Sequence, residues 1–327
     1  MIEVRHLTKR YGNHVAVDDL SFSIDKGVIY GFLGPNGAGK STTMNILCGC
    51  LGASEGEVLI DGHSISEEPL AAKKCIGYLP ELPPVYPDMT PEEYLQFIAQ
   101  AKKIPHAERK EHILAIMEKT GITEMKNRLI RNLSKGYRQR VGIAQALIGN
   151  PEVIILDEPT VGLDPAQIIE IRTLIRTLGQ DHTVVLSSHI LSEVQAVCDS
   201  ILIISKGRLV ACDTPQHLGE LFAGKTTLKL EIRGTRSEAE AILAGIKDIE
   251  GIDYKEGGEG SVLCEVHPAD NTDIRESLFC AFARKNIPLL EMATVRASLE
   301  DIFLELTAGE SADAEQEKPD KKEVRKK

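Results

Sequence analysis

One stretch of this sequence combines residue types and spacing that suit the binding of phosphate groups. It reads Gly-Pro-Asn-Gly-Ala-Gly-Lys-Ser-Thr from Gly34 to Thr42 and fits the phosphate-loop pattern. Glycines let the backbone curl so that successive N–H groups point inward and surround an anion. Lys40 could reach the outer phosphates of a nucleotide, and the Ser41 hydroxyl could ligate magnesium. The stretch predicts a nucleoside triphosphate site; the alternative is a glycine-rich turn that binds nothing.

The segments on either side of this loop supply the context that the pattern requires. An apolar run of strand length extends from Gly27 to Leu33, and apolar residues at helical spacing follow from Ser41 to Leu51. Strand, turn and helix in that order place a helix N-terminus, with its dipole and unpaired N–H groups, at the phosphates. The residues expected to contact the nucleotide here are Gly34, Asn36, Gly37, Ala38, Gly39, Lys40, Ser41 and Thr42.

Two carboxylates end a fully apolar strand further along the chain. Asp157 and Glu158 follow the apolar residues 153–156, and open parallel sheets place their ligands at the carboxyl ends of such strands. In a phosphate-loop enzyme the first carboxylate supports magnesium, usually beside Ser41. The second carboxylate can polarise the attacking water, which makes Glu158 the candidate base.

Two further side chains have both a functional and a structural interpretation. His189 ends the next strand, where it could hydrogen-bond the γ-phosphate or could be a capping or core histidine. Tyr11 lies just before a turn, where its ring could stack on a nucleotide base or could simply end a strand. Their proximity to the phosphate loop and the carboxylates favours the functional interpretation in both cases.

The order of apolar segments predicts how these residues are positioned. Strands and helices alternate from residue 28 to residue 205, which favours a doubly wound parallel sheet. Residues 1–26 alternate as antiparallel strands, and residues 85–150 are predicted to form a helical insertion. Within it, Thr90 and Ser134 are predicted to cap the N-termini of two helices.

After residue 225 the pattern restarts and predicts a second, smaller unit. Its predicted elements are strand 226–233, helix 237–247, strands near 249–256 and 261–267, helix 271–286, strand 288–295 and helix 298–306. This order resembles a ferredoxin-like unit, a small sheet covered by helices on one face. We therefore expect a nucleotide-binding domain over 1–222, an accessory α+β domain over 223–306 and a disordered charged tail over 307–327.

A second match to the phosphate-loop pattern occurs from Gly219 to Thr226 in the opposite context. A predicted helix precedes it and a predicted strand follows it, the reverse of what phosphate binding requires. We interpret it as a helix C-terminus that ends at Gly224.

Composition limits the class of protein. The 327 residues suggest about two domains, and no apolar run approaches the roughly 18–20 residues of a membrane helix. The chain opens directly in a strand pattern, so a signal peptide is not expected. A net charge of −11 argues against a nucleic-acid partner. Seven scattered cysteines, without metal-site spacing, fit buried apolar positions in a reducing cytoplasm.

Taken together, these motifs resemble the ATP-binding subunit of an ABC transporter. The matching pieces, in family order, are Tyr11 (adenine-stacking aromatic), Gly34 to Thr42 (Walker A), Leu133 to Tyr137 (signature), Ile154 to Glu158 (Walker B with its catalytic glutamate), Gly162 to Asp164 (D-loop) and His189 (switch histidine). The resemblance covers residues 1 to about 220 and implies a P-loop NTPase-type sheet core. It also implies ATP and Mg²⁺ as ligands.

The resemblance implies further site residues beyond the phosphate loop. Ser134, Gly136 and Asp164 would contact nucleotide across a dimer interface, where the signature of one chain meets the γ-phosphate bound by the other. Ser41, Asp157 and Glu81 would surround magnesium, with the catalytic residues Lys40, Glu158 and His189 beside them.

Two positions depart from the family pattern. Lys135 and Tyr137 replace a glycine and a glutamine of the usual signature, although Ser134 and Gly136 are kept. Lys135 should favour contact with an anion. Glu81 occupies the position of the family's glutamine; a carboxylate can reach magnesium, but it cannot donate the hydrogen bonds of an amide.

The resemblance implies a cytoplasmic ATPase subunit at the inner face of the cell membrane. It would work as a head-to-tail pair with a second copy, or a similar subunit, and would drive a separate polytopic permease. The segment Ser298 to Leu304 resembles the tail of subunits that serve ABC-2-type export permeases, which favours export. Alternatives are a soluble ABC protein that acts on ribosomes or DNA, a regulatory nucleotide binder without hydrolysis, and a cassette that powers a surface or motility machine.

Overall fold

The structure is a computed structural model that describes residues 1–222, 227–258, 260–269 and 272–295. The end of the second phosphate-loop match (224–226), the predicted helix 298–306 and the predicted tail 307–327 lie outside these residues. The packing of Cα atoms divides the chain into two compact units, Met1–Pro215 and a second unit that begins at Gln216.

Strands and helices of the described residues follow the alternation read from the sequence. The strands are β1 (Ile2–Tyr11), β2 (His14–Ile24), β3 (Ile29–Leu33), β4 (Glu55–Ile60), β5 (His63–Ser64), β6 (Ile76–Leu79), β7 (Val153–Leu156), β8 (Thr183–Ser188), β9 (Ser200–Ser205), β10 (Arg208–Asp213), β11 (Thr227–Arg233), β12 (Ile249–Glu256), β13 (Ser261–Pro268) and β14 (Leu289–Val295). The helices are α1 (Lys40–Leu47), α2 (Pro69–Lys74), α3 (Pro91–Ala101), α4 (His106–Lys119), α5 (Lys135–Leu147), α6 (Pro165–Leu178), α7 (Leu191–Val197), α8 (Pro215–Phe222), α9 (Arg236–Leu243) and α10 (Arg275–Arg284).

A six-stranded sheet forms the centre of the first unit, in the order β10-β9-β3-β8-β7-β6. All neighbours pair in parallel except β9 and β10, which form an antiparallel hairpin at one edge. Every residue of β7 and β8 is buried, as expected for the middle of a parallel sheet. The predicted α/β fold with a parallel sheet core is confirmed.

The N-terminal strands form a separate antiparallel sheet in the order β2-β1-β4-β5. Its apolar residues share one core with α1 and the central sheet; representative members are Ile2, Leu20, Met44, Phe32 and Ile155. Helix α1 follows the phosphate loop directly and buries Met44, Ile46 and Leu47 in this core. The packing of α1 therefore fixes the loop against both sheets.

Helices α3, α4 and α5, with short 3₁₀ turns at Thr123–Met125 and Ile130–Asn132, form the predicted helical insertion. The Thr90 hydroxyl accepts a hydrogen bond from the Glu93 N–H, and the Glu93 carboxylate accepts one from the Thr90 N–H. This capping box satisfies N–H groups that the helix leaves unpaired and confirms the predicted start of α3.

The second unit contains a four-stranded antiparallel sheet in the order β12-β13-β11-β14. Along the chain its elements run β-α-β-β-α-β, which is the ferredoxin-like arrangement. Its core contains Leu230 of β11, Cys264 of β13, Leu243 of α9 and Phe282 of α10.

The predicted extent of α1 is wrong at its C-terminal end. The helix stops at Leu47 rather than Leu51, because Gly49 adopts a left-handed backbone with φ of 64°. Glycine reaches this conformation without the steric cost that a side chain would add, so it commonly ends helices.

Among the described helices, none is both long enough and apolar enough to cross a membrane.

Candidate active site

The phosphate loop joins β3 to α1 and depends on glycine at two close approaches. Gly39 has a φ of 102°, and a Cβ built on it would lie 2.5 Å from the carbonyl oxygen of Ala16. A Cβ on Gly34 would lie 2.5 Å from the carbonyl oxygen of Ile204. Real Cβ atoms do not approach oxygen so closely, so neither position can hold a side chain without a shift of the backbone. The loop is thus held against β2 and β9 in a curled path, which is the kind of backbone that can direct N–H groups towards an anion.

Lys40 is the first residue of α1, and only 6% of its surface is exposed. Its ammonium group donates to the carbonyl oxygens of Gly34 at 2.8 Å and Pro35 at 3.3 Å. The same nitrogen lies 3.5 Å from Oε1 of Glu158. Lysine is rarely buried without partners of this kind, and a positive charge enclosed beside an N–H-lined loop suits a bound anion.

Asp157 follows β7 directly and is 3% exposed. Its Oδ1 accepts hydrogen bonds from the Ser187 hydroxyl at 2.6 Å and from the Ser41 hydroxyl at 3.3 Å. The first residue after β7 and the second residue of α1 are therefore adjacent. Hydroxyl and carboxylate oxygens are the ligands that magnesium prefers, so this pair fits the implied metal.

Glu158 and His189 meet in the same site from the ends of two neighbouring strands. The His189 Nδ1 lies 2.9 Å from Oε2 of Glu158, and the Glu158 carboxylate is buried. The backbone of Glu158 is left-handed, with φ of 48°, which is uncommon for a residue other than glycine. The Glu158 N–H donates to the Ser187 hydroxyl at 2.9 Å, so the strained backbone is anchored to β8.

A cleft of about 390 Å³ lies over these groups. The predicted site residues that line it are Tyr11, Asn36, Gly37, Gly39, Lys40, Ser41, Thr42, Glu81, Glu158 and His189. Gly34, Ala38 and Asp157 are buried and do not line the cleft. Gly34 and Ala38 form part of the loop backbone beneath it, and Asp157 is the buried partner of Ser41. The structure thus brings the phosphate loop, the carboxylates, the histidine and Glu81 together.

Three predicted residues lie outside this cleft. Ser134 is exposed and caps α5, where its hydroxyl accepts a hydrogen bond from the Tyr137 N–H. Asp164 is exposed and caps α6 by accepting from the Gln167 N–H at 2.9 Å. Gly136 approaches the same helix, since a Cβ on it would lie 2.7 Å from the Gln167 side chain. Gly136 and Asp164 thus both lie beside Gln167 of α6, and none of the three residues lines the cleft.

The sequence interpretation missed four residues of the site. His14, Ala16 and Val161 line the cleft, and their sequence context carries no distinguishing signal. Ser187 supports both carboxylate positions and is fully buried. Its signal was a hydroxyl directly after the apolar residues 184–186 of a buried strand, which indicates a buried group with a specific partner.

Comparison with known proteins identifies the family. A family model described as "ABC transporter" matches residues 17–161. The linearmycin resistance ATP-binding protein LnrL of Bacillus subtilis (strain 168) is 33% identical over 94% of this chain and 98% of its own length. The bacitracin transport ATP-binding protein BcrA of Bacillus licheniformis is also 33% identical, over 94% of this chain and 98% of its own length.

A solved structure agrees with this assignment. The dimeric post-hydrolysis state of the ATP-binding cassette MJ0796, bound to ADP and Pi, matches with a TM-score of 0.60 and 26% identity. That alignment covers 65% of this chain and 98% of the cassette. The chain therefore belongs to the ABC transporter family, as an ATP-binding subunit that hydrolyses ATP to drive transport.

Proposed function

We propose that ATP is hydrolysed in the cleft above Lys40, with Glu158 as the general base. The observation that carries this proposal is the convergence of three side chains from the start of α1 and the ends of β7 and β8: Lys40 Nζ lies 3.5 Å and His189 Nδ1 lies 2.9 Å from the Glu158 carboxylate. Glu158 would take a proton from the attacking water, and His189 would orient the water and the γ-phosphate. Lys40 and the loop N–H groups would stabilise charge on the phosphates.

Magnesium is the metal that the donor set fits. Ser41 and Asp157 would hold it, and Glu81, which also lines the cleft, would contact it. The metal would neutralise charge on the phosphate oxygens and keep them in line for attack. Tyr11, whose side chain is half exposed at the mouth of the cleft, would stack on adenine.

The active form is proposed to be a head-to-tail pair of two copies of this chain. Ser134, Gly136 and Asp164 do not line the chain's own cleft, so they would meet nucleotide bound by a partner. The unpaired N–H groups at the start of α5 favour a negatively charged ligand there. The dimeric cassette MJ0796 supports this assembly.

The transport partner is proposed to be a separate polytopic permease with an export function. LnrL and BcrA, whose names refer to linearmycin resistance and bacitracin transport, each match 94% of the chain and support this role. The subunit would then lie in the cytoplasm, on the inner face of the cell membrane. Residues 1–222 would form the ATPase domain, and residues 223–306 an accessory domain.

The decisive test compares Glu158→Gln with Glu152→Gln, which changes an exposed carboxylate at the opposite end of β7. Because a general base contributes about 10²–10⁴-fold, Glu158→Gln should lower ATP hydrolysis by about a hundredfold or more. ATP binding should remain, since the amide keeps the shape of the site. Glu152→Gln should hydrolyse ATP at the wild-type rate. Hydrolysis by Glu158→Gln above about a tenth of the wild-type rate would refute the proposed base.

The assembly is tested with the same variant. Glu158→Gln should form a dimer in ATP and a monomer in ADP on size-exclusion chromatography. When Glu158→Gln is purified from detergent-solubilised membranes with ATP present, a polytopic membrane protein should co-purify with it. Recovery of ribosomes without a membrane protein would contradict the permease proposal and favour a soluble ABC protein.

A further inference from the structure

The site contains a buried carboxylate that the proposed chemistry does not use. Glu193 lies in α7, and only 6% of its surface is exposed. Its Oε2 accepts hydrogen bonds from the Thr160 hydroxyl at 2.5 Å and from the Ser188 hydroxyl at 3.2 Å. Burial of a carboxylate is costly unless hydrogen bonds compensate it, so these two donors define where the Glu193 side chain can lie.

Each donor belongs to a segment that carries one of the reacting groups. Thr160 lies two residues after Glu158, in the turn that leads towards Asp164, and its carbonyl accepts from the Leu163 N–H at 3.2 Å. Ser188 immediately precedes His189 and accepts a hydrogen bond from the Ile190 N–H at 3.0 Å. One carboxylate oxygen therefore joins two segments that are far apart in the sequence.

From this geometry we propose that Glu193 is a positioning residue, which fastens the turn after Glu158 to the strand end before His189. It rests on the roles proposed above for Glu158 and His189. Glu193 does not line the cleft, so it acts through the two residues that do. Its contacts hold the separation of 2.9 Å between the Glu158 carboxylate and the His189 ring.

The backbone of Glu158 explains why such a fastening is needed. Its left-handed φ of 48° is unfavourable for a side-chain-bearing residue and persists only where the surroundings enforce it. Ser187 holds the N–H of Glu158 on one side, and the Thr160–Glu193 contact holds the turn on the other. Release of the second contact would let the carboxylate turn away from the histidine while the phosphate loop stays intact.

The test removes one hydroxyl without a change in volume. Thr160→Val loses the donor to Glu193, whereas Thr160→Ser keeps the hydroxyl and loses only a methyl group. Thr120→Val is the matched control, because Thr120 is buried like Thr160 and its hydroxyl donates to the Ile116 carbonyl at 2.8 Å in the helical insertion. Steady-state ATP hydrolysis, KM for ATP and thermal unfolding are measured for the full chain.

Thr160→Val should lower kcat by about tenfold with KM for ATP within about twofold, because positioning affects the chemical step rather than ground-state binding. Thr160→Ser should stay within about twofold of the wild-type kcat. Thr120→Val should lower the melting temperature by about as much as Thr160→Val does, but it should keep the wild-type kcat. A Thr160→Val enzyme with wild-type kcat, or with the same loss as Thr160→Ser, would overturn the proposal.

A second variant and a double-mutant cycle keep the inference testable if Thr160→Val unfolds. Glu193→Gln keeps the size of the side chain, removes its charge and should also lower kcat with little change in KM. Substitutions of residues that act as a unit have non-additive effects. When Thr160→Val or Glu193→Gln is added to His189→Ala, kcat should therefore fall by less than about a further twofold. A full additional tenfold loss in that background would overturn positioning through His189.

The failure of this inference differs from failure of the proposed function. Wild-type hydrolysis by Glu158→Gln would refute the proposed base. Loss of hydrolysis in Glu158→Gln and His189→Ala, combined with full activity in both Thr160→Val and Glu193→Gln, would refute only the role of Glu193.

Discussion

Substitution of Gly39 by alanine tests whether ATP binding requires the backbone path of the phosphate loop. Two costs follow from the structure. An L-residue in the left-handed region costs about 1–2 kcal/mol, and Gly39 has a φ of 102°. In addition, the new Cβ would lie 2.5 Å from the carbonyl oxygen of Ala16 in β2. Because the obstacle is backbone rather than a flexible side chain, the loop itself must move.

The size of the effect can be separated with a second glycine. Gly62 has a φ of 83°, but a Cβ on it would meet no atom within 4 Å. Gly62→Ala therefore carries only the conformational cost of about 1–2 kcal/mol. Gly39→Ala adds an overpacking cost of about 1–3 kcal/mol. The overpacking cost falls on the loop that would surround the phosphates. If about 2.7 kcal/mol of this cost reduces the free energy of ATP binding, the Kd for ATP rises about a hundredfold.

The assay is equilibrium binding of ATP with Mg²⁺, together with thermal unfolding of the same proteins. Gly62→Ala should lower the melting temperature and leave the Kd for ATP unchanged. Gly39→Ala should lower the melting temperature and raise the Kd by about a hundredfold. Gly39→Ala with a Kd within about threefold of the wild-type value would refute the reasoning, since the loop would then tolerate the shift.

Three other changes test different parts of the first unit. Glu81→Gln should keep basal ATPase activity; a loss greater than about tenfold, roughly 1.4 kcal/mol of barrier, would show that the carboxylate is needed for the chemistry. Ser187→Ala leaves the buried N–H of Glu158 without its partner, which costs about 1–3 kcal/mol; the melting temperature and kcat should both fall, and a wild-type kcat would contradict the assigned support. His112 accepts a hydrogen bond from the Gly149 N–H, and burial, with a contribution from a nearby lysine, lowers the pKa of His112 below 6.5. The unfolded chain then binds more protons than the folded chain between the two pKa values, so the free energy of unfolding should fall as pH drops through about 6.5. His112→Gln should reduce that fall in urea titrations at about pH 7.5 and about pH 5.5, and an identical pH dependence in both proteins would contradict it.

The sequence predicted the core of the site because the residues proposed to bind phosphate are contiguous. Gly34 to Thr42 specify their chemistry through local spacing, and the apolar runs on either side specify strand and helix. The capping boxes and caps at Thr90 and Ser134 were predictable for the same reason, since the groups involved lie within three residues of each other.

Contacts between segments far apart in the sequence were not predictable in this way. Ser187 and Glu193 reach their partners only because β7 and β8 are neighbours in the sheet and α7 returns against their ends. The hydrophobic periodicity and composition of a segment predict whether it forms a helix or a strand. They do not predict which side chains are in contact between two such elements. The left-handed backbone of Glu158 is equally hidden, because its residue type disfavours that conformation.

The arrangement of the site also explains why one chain should not suffice. Lys40, Ser41 and Glu158 line one cleft, and Asp157 lies beneath it as the partner of Ser41. Ser134 and Asp164 instead cap the N-termini of α5 and α6 and do not line that cleft. A helix N-terminus can stabilise a phosphate only within about its first turn. Under the proposed function, a second chain must supply these helix N-termini, and hydrolysis then depends on the approach of two copies rather than on a rearrangement within one.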